Sequence, residues 1–282
     1  MRTMGIAIAA VVAGGLFAAG SAGAGGGPSP GVLTGWDGVA GTTGVRYVAL
    51  SGEGRTTIAT IRMRGGRVAR FNSIPGTFGI PLVSFDGTAA GLSHDQRRLV
   101  LSSFPGTPEV SRQTHFAIVR LPGARLERLV TLRGAFSFDA LSPDAKTLFV
   151  VEYLTADGAR YRVRAVDLRT GRLLPRAIAE KGRTTMSGLA LTRATSSSGR
   201  FAYTLYRNDT GTAFVHALDT VGRRAICIEL PWRGTAQEGL GRARISLDRS
   251  GRRLTIAQPG VGALATIDTR AYRVTVKRTP VA

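Results

Sequence analysis

Cysteine is almost absent from this chain of 282 residues, which contains only Cys227. An internal disulfide is therefore impossible, so hydrophobic packing has to stabilise the folded protein. Cys227 lies in an apolar, strand-like segment, whereas a reactive thiol needs a basic or helix-terminal setting. We predict that Cys227 is a buried small apolar residue.

Lysine is also scarce, although the formal net charge is +20. Only three of the 38 basic residues are lysine, and the arginines are scattered without a run of five like charges. A nucleic-acid site needs a basic stripe interleaved with aromatic side chains, so no nucleic-acid partner is expected. Electrostatic contact with an anionic membrane surface or polymer stays open, and it would weaken as salt rises.

The sequence lacks the motifs that indicate catalysis or metal binding. The histidines His94, His115 and His216 have no second ligand at a recognised metal-binding spacing, which favours surface or packing roles. No nucleophile elbow, phosphate-binding loop or dinucleotide fingerprint occurs. The sequence therefore predicts no catalytic, cofactor-binding or metal-ligating residue, and no cofactor.

Long apolar runs are confined to the amino terminus. A basic start, an apolar stretch and small residues at Ala22 and Ala24 follow one another as in a secretory signal. We predict a signal peptide over residues 1–24, a flexible linker over residues 25–31 and one folded domain over residues 32–282. The protein is then extracytoplasmic, secreted or associated with the cell envelope. An uncleaved membrane anchor is the alternative, which the many small residues disfavour.

What the sequence does contain is a strand–turn–strand unit that recurs about every fifty residues. Four apolar anchors, each predicted to end a strand, are 49, 50 and 54 residues apart: Leu92, Leu141, Leu191 and Ile245. A second landmark, predicted to end the third strand of each unit, falls at Arg62, Arg120, Asp167, Asp219 and Asp268. Counting back from Arg62 places a first anchor near Trp36.

The unit over residues 136–179 is the clearest. It predicts strands at 136–141, 147–153 and 161–167, followed by a weaker fourth strand from residue 173 that contains Pro175. Proline is tolerated there only if this strand is at the outer edge of its sheet.

Five such units predict an all-β fold, a β-propeller of about five four-stranded blades behind the signal peptide. A two-sheet β-sandwich is the second choice, but it gives no reason for a repeat.

A family resemblance rests on the Leu-Ser-Pro-Asp turn at 141–144, the apolar strand after it, and Val-Asp-Leu-Arg-Thr-Gly at 166–171. These segments resemble the repeat of YVTN-type and other WD40-like β-propellers, over roughly residues 44–278. The whole chain is also similar to uncharacterised exported proteins of actinobacteria. The resemblance implies a fold rather than a function. Two departures affect the blade number: the period is long, and a Trp-Asp pair occurs only at Trp36-Asp37.

Asp167, Asp219 and Asp268 recur before turns, where an aspartate accepts hydrogen bonds from the following backbone amides. We interpret them as turn caps rather than as catalytic groups.

The leading functional hypothesis is a non-enzymatic, monomeric, exported scaffold. It would bind an unidentified protein or envelope ligand through loops at a propeller face. The candidate loops are residues 71–85 and 231–243, the longest segments that look irregular.

The enzymatic alternative is an extracellular glycoside hydrolase. Propeller glycosidases with five blades place carboxylates on their innermost strands, and the matching residues here are Asp37, Asp86 and Asp139. Relative to their anchors, Asp86 and Asp139 are four residues out of phase, about 13 Å along a strand. Glycosidase chemistry needs carboxyl groups about 5 to 10 Å apart, so the spacing argues against this pair. Arginine-mediated attachment to anionic envelope polymers is the third hypothesis.

Overall fold

The computed structural model describes residues 30–104, 112–178, 186–208 and 212–281. The predicted signal peptide and most of the predicted linker lie outside these residues. The one helix in the described part of the chain lacks the length and hydropathy needed to cross a bilayer.

The described residues form five antiparallel sheets, which we call blades. Blade 1 contains β2 (Gly38–Ala40), β3 (Val45–Gly52), β4 (Arg55–Arg62) and β5 (Val68–Pro75). Blade 2 contains β6 (Phe78–Pro81), β7 (Arg98–Ser103), β8 (Gln113–Arg120) and β9 (Arg125–Arg133), with the short amino-terminal strand β1 (Val32–Leu33) beside β6.

The other three blades are each built from four consecutive strands. Blade 3 contains β10 (Phe136–Leu141), β11 (Thr147–Tyr153), β12 (Tyr161–Asp167) and β13 (Arg172–Leu173). Blade 4 contains β14 (Leu189–Thr195), β15 (Phe201–Arg207), β16 (Thr212–Asp219) and β17 (Arg224–Arg233). A 3₁₀ helix, Gly234–Arg242, leads into blade 5, which contains β18 (Arg244–Leu247), β19 (Arg253–Gln258), β20 (Gly262–Asp268) and β21 (Val274–Val276).

One turn repeats in all five blades, between the first strand and the second. Its first residue donates a backbone hydrogen bond across the hairpin, and its fourth residue has a positive φ. The first residues are Gly41, Ser93, Ser142, Ser196 and Asp248, and the fourth are Gly44, Gln96, Ala145, Gly199 and Gly251. This register, rather than any one residue type, defines the repeat.

The register confirms two of the predicted anchors and corrects the others. Leu92 and Leu141 directly precede this turn and pair with Leu99 and Leu148. Leu191 instead lies at a bulge inside β14, and the residue before the turn of blade 4 is Thr195. The prediction is wrong there because Ser196-Ser-Ser-Gly199 forms the same turn without the Leu-Ser-Pro-Asp signature.

The anchors of blades 5 and 1 are also displaced. Ile245 is an interior residue of β18, paired with Ile256, and Leu247 precedes the turn. In blade 1, Ala40 occupies this place, whereas Trp36 lies before β2 and is exposed.

The second landmark is confirmed in every blade. Each predicted residue ends the third strand and is joined by register or a backbone hydrogen bond to the residue five positions later. The partners are Arg62 with Arg67, Arg120 with Arg125, Asp167 with Arg172, Asp219 with Arg224, and Asp268 with Arg273. In blade 3 the fourth strand is only Arg172–Leu173, so it is at the sheet edge as predicted, but Pro175 lies after the strand rather than inside it.

Hydrophobic clusters join consecutive blades. Buried side chains pack between blades 1 and 2, between 2 and 3, between 3 and 4, and between 4 and 5. In the described part of the chain, no such cluster contains residues of both blade 5 and blade 1. Apolar packing therefore joins four successive pairs of blades, and no apolar cluster of the described residues joins blade 5 to blade 1.

The two predicted binding loops prove to be largely regular structure. β5 and β6 occupy most of residues 71–85, and in residues 231–243 the strand β17 is followed by the 3₁₀ helix. Leu240 of that helix is fully buried in the cluster between blades 4 and 5. The expectation that these segments are irregular is wrong because apolar residues that pack into the core of the blades interrupt the simple strand pattern in both.

Truncating an inter-blade side chain tests the packing between blades. Phe149 is fully buried in the cluster between blades 3 and 4, whereas Phe71 is 73% exposed on β5. We expect Phe149→Ala to lower the free energy of unfolding by about 3 to 5 kcal/mol because it leaves a cavity. Phe71→Ala, the same substitution in a strand, should cost less than about 1 kcal/mol. Urea unfolding followed by fluorescence measures both, and similar losses would contradict this packing.

Candidate functional site

The centre of the ring is crossed by a hairpin of blade 2, residues 82–91, which we call the plug. Its tip is a turn closed by Gly87, whose amide donates to the Ser84 carbonyl at 3.1 Å. The Phe85 amide donates to the Ala190 carbonyl at 2.8 Å, and the Asp86 amide donates to the Leu191 carbonyl at 3.1 Å. β14 bulges at these carbonyls, between Ala190 and Thr192, which leaves them free to accept. The plug therefore ties blade 2 to the inner strand of blade 4.

Asp86 holds the tip of the plug in shape. Its Oδ1 accepts hydrogen bonds from the Ser84 hydroxyl at 2.8 Å and from the Thr88 hydroxyl at 2.6 Å. Its Oδ2 is 3.8 Å from the Nε of Arg244 on blade 5. Burial alone would raise the pKa of Asp86, but hydrogen bonds from Thr192, Thr88 and Ser84 hold it below its usual value. The carboxylate is ionised and committed to local structure.

Asp139 and Arg193 form a buried ion pair between the inner strands of blades 3 and 4. The side chains are 3% and 6% exposed, and the Arg193 guanidinium donates to Asp139 Oδ1 and to the Asp139 carbonyl. Arg193 Nε also donates to the Thr204 hydroxyl at 2.8 Å. A bulge in β10 at Asp139 turns this side chain toward the neighbouring blade.

Tyrosines surround the other side of this ion pair. The ring of Tyr206 is tilted by 33° against that of Tyr161, with centroids 6.3 Å apart, and the Tyr161 hydroxyl donates to the Gly188 carbonyl at 3.0 Å. Burial, followed by the negative charge of Asp139, raises the pKa of the Tyr206 phenol. These phenols stay protonated at neutral pH, and none is poised to act as a base.

A cavity of about 380 Å³ opens at one mouth of the ring, at the end that carries the first-hairpin turns. The plug and the Asp139–Arg193 pair form its inner wall, and turns of blades 1, 2 and 4 form its rim. The rim residues are Thr42, Ser93, His94, Gln96, Thr195, Ser196 and Gly199. Its volume falls within the range of about 300 to 1,000 Å³ that is usual for ligand clefts.

Contacts between blades fix the rim of the cavity. The Thr42 amide donates to Gln96 Oε1 at 2.9 Å, and Gln96 Nε2 donates to the Thr42 hydroxyl, which joins blades 1 and 2. His94 of blade 2 lies against Gly199 of blade 4, where an added Cβ would approach the His94 side chain to 3.3 Å. Glycine is favoured at this position because a larger residue would crowd His94 and because its φ of +71° is one that other residues rarely adopt.

The predicted carboxylates are therefore not assembled into one constellation. Asp139 and Asp86 contact different arginines, and Asp37 is exposed just before β2. The capping role of Asp167, Asp219 and Asp268 is confirmed, since each Oδ1 accepts backbone hydrogen bonds from residues two and three positions later.

The histidines and the cysteine lie in separate local environments. His94 is exposed in a turn, and His115 is 3.0 Å from the Thr131 hydroxyl through Nδ1. Cys227 is half-buried rather than buried as predicted, and its Sγ is 3.7 Å from Nδ1 of His216 on the paired strand β16. Within the described ranges, no three His, Cys, Asp or Glu side chains are placed to hold a metal ion.

Comparison with known proteins finds similarity at the level of the fold. No protein-family model matches the chain, and no curated protein matches it. A functionally unknown protein from Desulfotomaculum acetoxidans has 10% identity and a TM-score of 0.51, over 88% of this chain and 69% of that one. The Dos1 propeller has 10% identity and a TM-score of 0.47, over 83% of this chain and 55% of that one.

The β-propeller domain of Cps50 (Swd1) from Myceliophteria thermophila has 13% identity and a TM-score of 0.46. It is matched over 86% of this chain and 73% of its own length. The chain has the fold of a β-propeller. At such identities the similarity shows the fold and carries no information about activity or partners. This chain spans 55% of the length of the Dos1 propeller.

Sequence reasoning did not find the plug or Arg193. The only signal for the plug is spacing, since 58 residues separate Arg62 from Arg120, the longest interval between successive second landmarks. Nothing in the sequence distinguishes Arg193 from the many other scattered arginines, and its partner Asp139 was considered only as a catalytic candidate.

Breaking the buried ion pair should be costly. Arg193→Leu leaves the Asp139 carboxylate buried without its charge partner, and we expect a loss of about 3 to 5 kcal/mol in the free energy of unfolding. Arg169→Leu is the matched control, because Arg169 is 84% exposed and lies 4.0 Å from Asp167. It should cost less than about 1 kcal/mol. Urea unfolding at pH 7 measures both, and equal effects would contradict a structural role for the buried pair.

Acid sensitivity should depend on Asp219. Burial would raise the pKa of this carboxyl, but hydrogen bonds from Arg200, at 3.0 and 2.8 Å, and from backbone amides lower it below its usual value. Its stabilising contribution is therefore present above the unfolded pKa of about 3.9 and is lost as pH falls toward the lower folded value.

We expect Asp219→Asn to be less stable than the native protein at pH 7 and to lose less stability between pH 5 and pH 2. Urea midpoints across this interval measure the difference. Asp37→Asn, a change at an exposed carboxyl, serves as the control and should retain the native pH dependence. If Asp219→Asn and the native protein lost stability in parallel, the linkage would be refuted.

Proposed function

We propose that this protein is a non-enzymatic propeller scaffold that binds a protein or envelope ligand at the mouth of its ring. The cavity of about 380 Å³ carries this proposal, because it is concave, lies where turns of several blades converge, and is backed by rigid elements. A protruding side chain of a protein partner, or a small ligand, is of a size to occupy it.

The contacts of the inner-strand carboxylates support a non-catalytic function. Glycoside hydrolysis needs one carboxyl group that can donate a proton and a second that attacks or activates water. Asp139 is bound to Arg193, and Asp86 is held ionised by three hydroxyl groups, so neither is positioned to serve as the proton donor.

The rim offers hydrogen-bonding groups rather than a strong charge. Thr195 is exposed at the end of β14, and His94 and Ser196 lie beside it on the rim. Hydroxyl and imidazole groups of this kind give orientation to a bound partner, while the apolar lining excludes water. Turns on a rigid ring can also vary without disturbing the blades.

Filling the cavity tests its role. Thr195→Trp places an indole at the rim, and we expect it to reduce at least about tenfold the amount of partner that the immobilised protein retains from its native culture medium. Thr131→Trp, at an exposed residue of β9 outside the cavity lining, is the control and should retain partner as the native protein does. Equal retention by both variants would overturn the assignment of the cavity.

The catalytic alternative has its own assay. We expect no release of sugar from a broad glycan panel by the native protein. Turnover that Asp139→Asn or Asp86→Asn abolished, while the fold was retained, would replace the scaffold proposal with the hydrolase.

Export completes the proposal. The basic, apolar and small-residue order of residues 1–24 supports cleavage after Ala24 and release from the cytoplasm. Amino-terminal sequencing of the protein from culture medium should begin at Gly25. A cell-bound protein that keeps Met1 would favour the uncleaved anchor.

A further inference from the structure

In blades 1 to 4 one face packs against the following blade, and the corresponding face of blade 5 differs from it in one row of side chains. Thr255 is the third residue of β19. Counted from the preceding turn, the same place on the second strand of every other blade is occupied by a buried residue. Those residues are Tyr47, Val100, Phe149 and Tyr203, each 5% exposed or less. In blades 1 to 4 this position packs against the following blade, as the hydrophobic clusters show. Blade 5 has a hydroxyl there instead.

Hydroxyl side chains occupy this row in all four strands of blade 5. Ser246 pairs with Thr255, Thr255 pairs with Thr266, and Thr266 pairs with Thr275. Directly paired residues point to the same side of a sheet, so these hydroxyls form one continuous row. With strands about 4.8 Å apart, the row is about 14 Å long. It lies on the face turned away from blade 4.

Basic side chains flank this row on the same face. Alternation along the strands places Arg244 beside Ser246, Arg253 beside Thr255, and Arg273 and Lys277 on either side of Thr275. All four basic residues are exposed, whereas the opposite face buries Leu254, Ile256, Ala265 and Ile267. We call the row and its four basic neighbours the hydroxyl face.

Blade 5 carries a concentrated excess of positive charge. Residues 244–281 contain eight of the basic residues and two of the acidic ones, a net charge of +6 in 38 of 282 residues. Among the described residues, only Arg244 of these eight lies within 4 Å of a carboxylate. A polar face with an excess of cations cannot act as an apolar interface for another blade, but it matches an anion along its length.

We propose that the hydroxyl face binds a linear polyanion. Arginine and lysine would neutralise successive anionic groups, and the serine and threonine hydroxyls would donate hydrogen bonds between them. A strip about 14 Å long flanked by cations favours an extended polymer over a single small ion. This surface is separate from the cavity at the mouth of the ring.

Inorganic polyphosphate is the probe. We expect Arg253→Gln/Arg273→Gln/Lys277→Gln to weaken its binding at least about tenfold near 0.1 M salt and to flatten the salt dependence. The control is Arg64→Gln/Arg67→Gln/Arg70→Gln, which removes the same charge from exposed residues of blade 1 and should change binding less than about threefold. Fluorescence titration at several salt concentrations measures both.

A second variant keeps the charge. Thr255→Val/Thr266→Val removes two hydroxyls with little change in shape, and we expect about threefold weaker binding with an unaltered salt dependence. Thr195→Trp should leave polyphosphate binding intact, so failure of this proposal and failure of the cavity assignment are distinguishable.

Three results would overturn the proposal. Absence of polyphosphate binding would exclude the ligand class, and equal losses of affinity in the blade 5 and blade 1 triple variants would indicate general attraction to net charge. Binding only to vesicles that contain an anionic phospholipid would indicate a membrane surface.

Discussion

Everything in this ring depends on sheet faces that cannot be buried within one blade. A four-stranded antiparallel sheet has two faces, and Phe149, Tyr203 and Leu254 are buried only because a neighbouring blade covers them. Four such interfaces stabilise a chain that has no internal disulfide. The bulges in β10 and β14 fit into the same scheme, since they turn Asp139 and two backbone carbonyls toward partners in other blades.

The plug adds polar contacts at the centre of the ring to the apolar packing between blades. Its tip donates backbone hydrogen bonds to blade 4 and carries a carboxylate near Arg244 of blade 5, while its base continues the inner strand of blade 2. These contacts restrain blades 2, 4 and 5 relative to one another. Polar chemistry is tolerated on the outer face of blade 5 for the same reason that terminal units of repeat arrays are polar.

The architecture could be predicted from the sequence, but the phase of the repeat only in part. Alternation and turn residues located the first three strands of blade 3 but not its short fourth strand. The residues that end the third strands were correct throughout, and Asp167, Asp219 and Asp268 mark real turns. Leu191 misled because a bulged strand contains an extra residue and its turn uses serine and glycine. The cavity and the Arg193 pair could not be foreseen, since both arise where residues far apart in sequence meet at the axis.

An occupied axis also gives the molecule two unlike ends. A propeller with an empty channel presents its axis to solutes from either side, but here a hairpin from blade 2 is hydrogen-bonded to the inner strand of blade 4. The plug is also the inner wall of the cavity at one mouth. The two ends of the ring therefore offer solvent different surfaces, a concave one backed by the plug and the face beyond it.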